Sequence, residues 1–162
     1  MITVIQRVSR ASVRVADEVV GAIERGLLVL VGVEPGDAPQ DADATAAKLA
    51  KLRAFPGRTP LDLTVAEVGG GFLVVSQFTL AADLRHGNRP DFTGAAAPDL
   101  AEPLYERVAA RLADTGAPVA TGRFGAAMQV ESVNEGPVTL ILRVANGRVL
   151  PRARGADPAP PA

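Results

Sequence analysis

The 162-residue sequence carries 17 Lys and Arg against 18 Asp and Glu, a formal net charge of −1, with 48% hydrophobic residues, 4% aromatics, no Cys and no Trp. A single domain of this size buries about two thirds of its unfolded surface, and its core must come from Val, Leu, Ile and Ala. Lack of cysteine removes disulfides, thiolate catalysis and cysteine-held zinc, and no apolar run approaches the roughly 20 residues that cross a bilayer.

Taken in chain order, Ile2 to Val8, Ser12 to Val15, Glu18 to Ile23 and the apolar run Leu27 to Val33 read as strands, with Asp17-Glu18 a tight turn. From Asp37 to Arg53 the period changes: Ala42, Ala46, Leu49, Ala50 and Leu52 fall mostly on one helical face. A short loop, Pro56 to Pro60, follows. After Gly69-Gly70-Gly71 comes a strand predicted over Phe72 to Leu80, apolar in its first half. A second helix is predicted over Pro103 to Ala113, with Pro103 in its first turn, Leu104, Val108 and Leu112 repeating, and Gly116 as cap. Strands Val119 to Thr121, Ala127 to Val133 and Val138 to Val144 complete the pattern.

Strands outnumber helices and a strand separates the two helices, so the expected fold is mixed α/β: a curled, barrel-like mixed sheet with helices on its outside. One domain is expected over residues 1–145. Residues 146–162 read as an Ala/Pro-rich C-terminal extension, too poor in large apolar groups to offset its ordering entropy, and therefore flexible. The N-terminal residues lack a basic segment followed by an apolar core and cleavage site, so a cytoplasmic protein is expected.

The chemistry is defined partly by what is missing. The single histidine, His86, sits in a loop between Arg85 and Gly87, poorly suited to a Ser-His-Asp triad. No His, Asp and Glu spacing suggests a metal site, so neither metal nor cofactor is expected. Ser76, Gln77 and Thr79 interrupt an apolar strand, and each would cost about 1 to 3 kcal/mol if buried unpaired. They are satisfied locally, face water, or line a site. Thr79 is the obvious nucleophile, yet its hydroxyl is weak without a base; the competing reading has it closing the strand on backbone. Gly136-Pro137 inside a β-rich stretch is either a turn or a rigid backbone device facing a ligand. With a net charge of −1, an RNA partner needs a local basic patch. Arg7, Arg10 and Arg14 form one candidate, and Arg85, His86 and Arg89 another.

Ser76-Gln77-Phe78-Thr79-Leu80 and Asn134-Glu135-Gly136-Pro137-Val138-Thr139 match the two signatures of the D-aminoacyl-tRNA deacylases, and the chain resembles that family over roughly residues 1–145. Val4 to Val8, Gly26 to Leu30, Asn88 to Phe92 and Ala101 to Tyr105 are similar to it as well. The resemblance implies a two-fold homodimer acting on the acceptor end of aminoacyl-tRNA, with active sites at the interface and no DNA or membrane partner. It implies hydrolysis of D-aminoacyl-tRNAs and of glycyl-tRNA(Ala), assisted by the ribose 2′-hydroxyl of the terminal adenosine. Backbone N–H groups around Ser76, Gln77, Phe78 and Thr79 would hold the oxyanion, with Gln77 a polar positioner and Phe78 a packing residue. A cis Gly136-Pro137 edge from the other subunit would reject L side chains. Phe124 and Met128 would shape an adenosine pocket, unless they are core residues, and Asn134 would contribute to binding or only cap the turn. Arg7, Arg85, His86 and Arg89 would meet the tRNA.

His86, Leu84 and Asp91 stand where the family commonly has lysine, threonine and serine. Two other readings stay open: a paralogue with relaxed chirality, and a non-catalytic RNA- or nucleotide-binding module. The second would show aromatic platforms, and the chain has only five Phe and one Tyr.

Overall fold

Alternating apolar residues build β1 (Ile2–Val15) as one continuous strand where the sequence predicts two. Its continuity comes from β6 (Gln129–Ala145), which pairs antiparallel with it from Ile2↔Arg143 to Arg14↔Gln129. On its other edge β1 changes partner. Ile2 to Val8 pair with β3 (Gly26–Gly32), and Ala11 to Val15 pair with β2 (Glu18–Ile23). Register shifts at Gln6/Val8, Val8/Arg10 and Val13/Arg14 bend the strand, as bulges do, and help curl the sheet. β4 (Gly71–Ser76) and β5 (Val119–Thr121) continue it in parallel, and β7 (Arg148–Val149) closes the order β5-β4-β3-β1-β6-β7.

The computed structural model describes residues 1–151, so most of the extension expected to be flexible lies outside the described residues. Its start does not. Asn146 and Gly147, at φ 53° and 70°, form the tight turn that returns β6 to β7, and the Leu150 N–H reaches the Arg143 carbonyl at 2.8 Å. The folded chain thus runs past the boundary expected at residue 145.

α1 (Pro39–Ala50) lies within the predicted helix, but α2 (Pro98–Ala113) begins before the expected Pro103. Pro98 takes the first helical position behind an extended Ala97, while Pro103 lies inside the helix, where it cannot donate to the Asp99 carbonyl. The C-cap is Asp114. Gly116 follows at φ 82°, with its N–H on the Ala113 carbonyl. Ala42, Ala46 and Leu49 of α1 and Leu104, Val108 and Leu112 of α2 share one buried cluster with Leu27, Val29, Val31, Phe72 and Val74. Leu28, Leu73 and Val75 point the other way and bury with Val8, Ala11, Val13 and Ile23 inside the curl. The fold is the expected curled mixed sheet with its helices outside. Asp43 ties the helices together, accepting from Arg107 at 2.8 Å and Arg111 at 2.9 Å. Among the described residues no helix is long and apolar enough to cross a membrane.

Candidate active site

The polar half of the Phe72 to Leu80 segment does not continue as strand. β4 stops at Ser76. The Gln77 N–H still reaches the Val31 carbonyl at 2.8 Å, and Phe78–Ala81 then winds into a short 3-10 turn. Phe78 and Thr79 stand ahead of the turn's first bond, from the Leu80 N–H to the Gln77 carbonyl at 3.2 Å, so the turn itself does not use their N–H groups. Thr79 does not close the strand through its side chain. Its hydroxyl accepts the Gln77 amide at 2.5 Å, while its carbonyl accepts the Ala82 N–H.

Beside this turn lies a cavity of about 500 Å³. Ser76, Gln77 and Phe78 form one wall, Phe124 and Met128 another, and Ala96 and Pro98 at the start of α2 a third. Tyr105 of α2 fixes the back. Its hydroxyl donates to the Val74 carbonyl at 3.0 Å, its ring lies 6.1 Å from that of Phe124, and burial pushes its phenol up. No lining side chain is ionisable. Five of the residues singled out by sequence thus meet in one place. Val33, Ala95, Ala96, Ala101 and Val130 also line it; their small or plain side chains carried no signal of chemistry. Among the described residues no group of three or more His, Asp and Glu is placed to hold a metal ion.

Phe78 is not a packing residue. It is 56% exposed and meets Phe92 edge-to-face, ring centroids 5.1 Å apart. The following loop is pinned where Asp83 and Asp91 exchange backbone hydrogen bonds at 2.7 and 3.0 Å. Arg85, His86 and Arg89 are exposed on it. Arg85 is bound to the Asp83 carboxylate, which it holds down to about 2, while the Asp91 carboxylate is taken by Thr93.

Arg7 also departs from its expected place. It is 8% exposed, donating from Nε to the Glu135 carbonyl at 3.1 Å and from Nη1 to the Ala54 carbonyl at 2.8 Å. β1 is a central strand here, so a side chain on this face meets protein rather than RNA. Opposite Arg7 the β1–β6 ladder opens: Gln6 pairs with Thr139 and Val8 with Asn134, leaving residues 135–138 as a bulge. Asn134 spans its base, donating to the Thr139 hydroxyl at 2.9 Å and accepting the Val138 N–H at 3.3 Å. Gly136 sits at φ 120°, and a Cβ there would lie 2.7 Å from Arg7 Nη2, so only glycine fits. The Gly136-Pro137 bond is cis. Neither residue lines the cavity of its own chain.

The sequence and the curled-sheet fold match known proteins. A family described as D-Tyr-tRNA(Tyr) deacylase matches residues 4–143. A D-aminoacyl-tRNA deacylase of Chloroflexus aurantiacus is 53% identical over 96% of this chain and 98% of its own. That of Anaeromyxobacter dehalogenans is 57% identical over 88% and 96%. Among solved structures, a c-Myc DNA Unwinding Element Binding Protein superposes with a TM-score of 0.84 at 37% identity, over 90% of this chain and 99% of that one. A probable eukaryotic D-amino acid tRNA deacylase shares the fold, with a TM-score of 0.71 at 18% identity over 86% and 97%. Relatives of this identity and coverage place the chain among hydrolases. The chain belongs to the D-Tyr-tRNA(Tyr) deacylase family.

Proposed function

We propose that this protein is an editing hydrolase that cleaves the ester between a D-amino acid and the terminal adenosine of tRNA, releasing free D-amino acid and tRNA, and that it also clears glycyl-tRNA(Ala). The observation that carries the mechanism is the cavity wall: none of its side chains can serve as acid or base at neutral pH. Thr79 cannot fill that role, because its hydroxyl is paired with an amide, which does not take a proton.

Water then adds to the ester carbonyl, the tetrahedral oxyanion forms, and the C–O bond to the ribose breaks, the 3′ oxygen leaving with a proton. In this reading the neighbouring 2′-hydroxyl relays that proton. The N–H groups of Phe78 and Thr79, at the start of the 3-10 turn, are the donors assigned to the oxyanion, and one such donor contributes roughly 3 to 4 kcal/mol to the transition state. Phe124 and Met128 face the adenosine, and Gln77, held by Thr79, orients the aminoacyl group.

Chirality is assigned to Gly136-Pro137 of a second copy. Val130 lines the cavity and Gly136 lies six positions along the same strand; at about 3.3 Å per residue this is about 20 Å, too far for the bulge to serve its own cavity. Ile141 is 70% exposed on that strand, which supports a homodimer across it. An L side chain would collide with the bulge, a D side chain would point away, and glycine has none. The bonds that fix the bulge favour this reading over a relaxed paralogue. Action in the cytoplasm, where translation occurs, follows from the same proposal.

The test is hydrolysis of D-tyrosyl-, L-tyrosyl- and glycyl-tRNA by the purified protein. Loss of the D and glycyl esters with the L ester spared is expected. Survival of all three with tRNA still bound would instead establish a binding module. D-tyrosyl-tRNA ending in 2′-deoxyadenosine, esterified on its 3′ oxygen, should turn over poorly; unchanged turnover defeats the relay.

A further inference from the structure

We infer that the exposed Phe78–Phe92 pair is a stacking platform for the base immediately preceding the terminal adenosine in the single-stranded end of the substrate. The inference rests on the reading that the cavity takes the terminal adenosine and its ester.

The chain has five Phe, one Tyr and no Trp. Phe55 and Phe72 are fully buried and Phe124 lines the cavity, whereas Phe78 and Phe92 stay 56% and 38% exposed beside each other. A chain this poor in aromatics gains most from each ring by burying it, so two left together in water at one site ask for a partner. Position supplies it. Phe78 is part of the cavity wall and Phe92 touches it from outside, so the pair continues the cavity across its rim.

The pair is also held in place. Asp83 and Asp91 clamp the loop, Asp91 accepts from the N–H and hydroxyl of Thr93 at 2.9 and 3.0 Å, and the Ala95 N–H returns to the Phe92 carbonyl at 2.9 Å. Gly94 packs so close to the 3-10 turn that a Cβ would stand 2.7 Å from the Ala81 carbonyl oxygen. A pinned backbone that presents an aromatic face to water is what stacking on an unpaired base requires. Arg85 is held by Asp83, so it is the ring faces rather than that guanidinium that present themselves to a substrate here. The contact is therefore specific to an unpaired base rather than to phosphate, and only weakly salt-dependent.

The experiment compares three esters of the same D-amino acid, on adenosine, on the trinucleotide cytidylyl-cytidylyl-adenosine, and on full tRNA, with wild type, Phe92→Ala, Phe92→Leu and Phe92→Tyr. Wild type should have a lower KM for the trinucleotide than for the adenosine ester. Phe92→Ala and Phe92→Leu should each shrink that advantage about tenfold, and Phe92→Tyr should keep it, the expected size for loss of one base–aromatic stack. Equal KM values for the two small esters with wild type overturn the inference while leaving the deacylase function standing. Rescue by leucine also overturns it, since leucine restores packing but offers no ring face. Failure of wild type to cleave any D ester sinks the function and this inference with it.

Discussion

Replacing Arg7 by methionine tests how the Gly136-Pro137 bulge is held. The guanidinium is almost wholly buried and makes two well-formed bonds to backbone carbonyls, those of Glu135 and Ala54. A third, to Pro60 at 3.4 Å, is weak, and the ion pair with the Glu135 carboxylate is long at 3.6 Å and half exposed on the acidic side. Hydrogen bonds from a charged donor contribute about 1.5 to 3 kcal/mol each. Methionine keeps the apolar stem and ends the cost of burying a charge, so the net loss should be near the lower sum, about 3 kcal/mol. In urea, with a slope of about 2 kcal/mol per M, the unfolding midpoint falls by about 1.5 M. Arg7→Lys, able to reach one carbonyl at a time, should lose about half as much. Both proteins must be compared at one concentration, because unfolding of a dimer depends on it. Preference for D over L ester should fall with Arg7→Met and recover partly with Arg7→Lys. A stability loss below about 0.5 kcal/mol, the scatter of ordinary surface substitutions, would refute the brace.

Thr79→Ala should retain kcat/KM within about tenfold, since the hydroxyl only anchors Gln77; a thousandfold loss would restore it as nucleophile. Thr3 is fully buried and its hydroxyl has no partner among the described residues, so Thr3→Val should raise stability by about 1 kcal/mol in denaturant unfolding; a fall would show that the hydroxyl is satisfied. Hydrogen bonds from Arg107, then Arg111, hold the Asp43 carboxyl down to about 2. Its folded value is thus below the unfolded one, and the stability it confers is full above about pH 5 and lost as pH falls from about 4 to about 2. The group is 39% exposed, which limits the effect to about 1 kcal/mol or less. Asp43→Asn should flatten that acid limb of the Tm profile, and coincident limbs for the two proteins would refute the assignment.

Elements whose signal is local were legible. β2 and β5 have the bounds that alternation and turn residues predict, and both helices show their apolar stripe. Misreadings arose where a residue's role depends on distant partners. β1 looks broken around Ser9 and Arg10, and only pairing with β6 carries it through. Pro103 mimicked a helix start because proline marks the first turn, while the true start, Pro98 after three alanines, had no apolar repeat to announce it. Asn146-Gly147 was a hairpin signal hidden by the decay of hydrophobicity around it.

Burial divides the site in the same way. Ser76, Gln77 and Phe78 are contiguous, and Phe124 and Met128 follow the parallel neighbour of β4, so motif residues far apart in sequence fall beside one cavity once β4 and β5 pair. Arg7 could not be placed from its charge, because its depth is set by β1 lying between β3 and β6. Nor could the loop arginines, since a carboxylate two residues away, Asp83, closes on Arg85. Of the positive charges that suggested RNA contact, Arg7 is therefore committed to structure and Arg85 is paired with Asp83. In the proposed function the cavity, the N–H groups at the start of the 3-10 turn and the aromatic rim meet the substrate. Recognition at such a surface depends on shape and backbone position, so substitutions that move the 3-10 turn or the bulge matter more than any that change net charge.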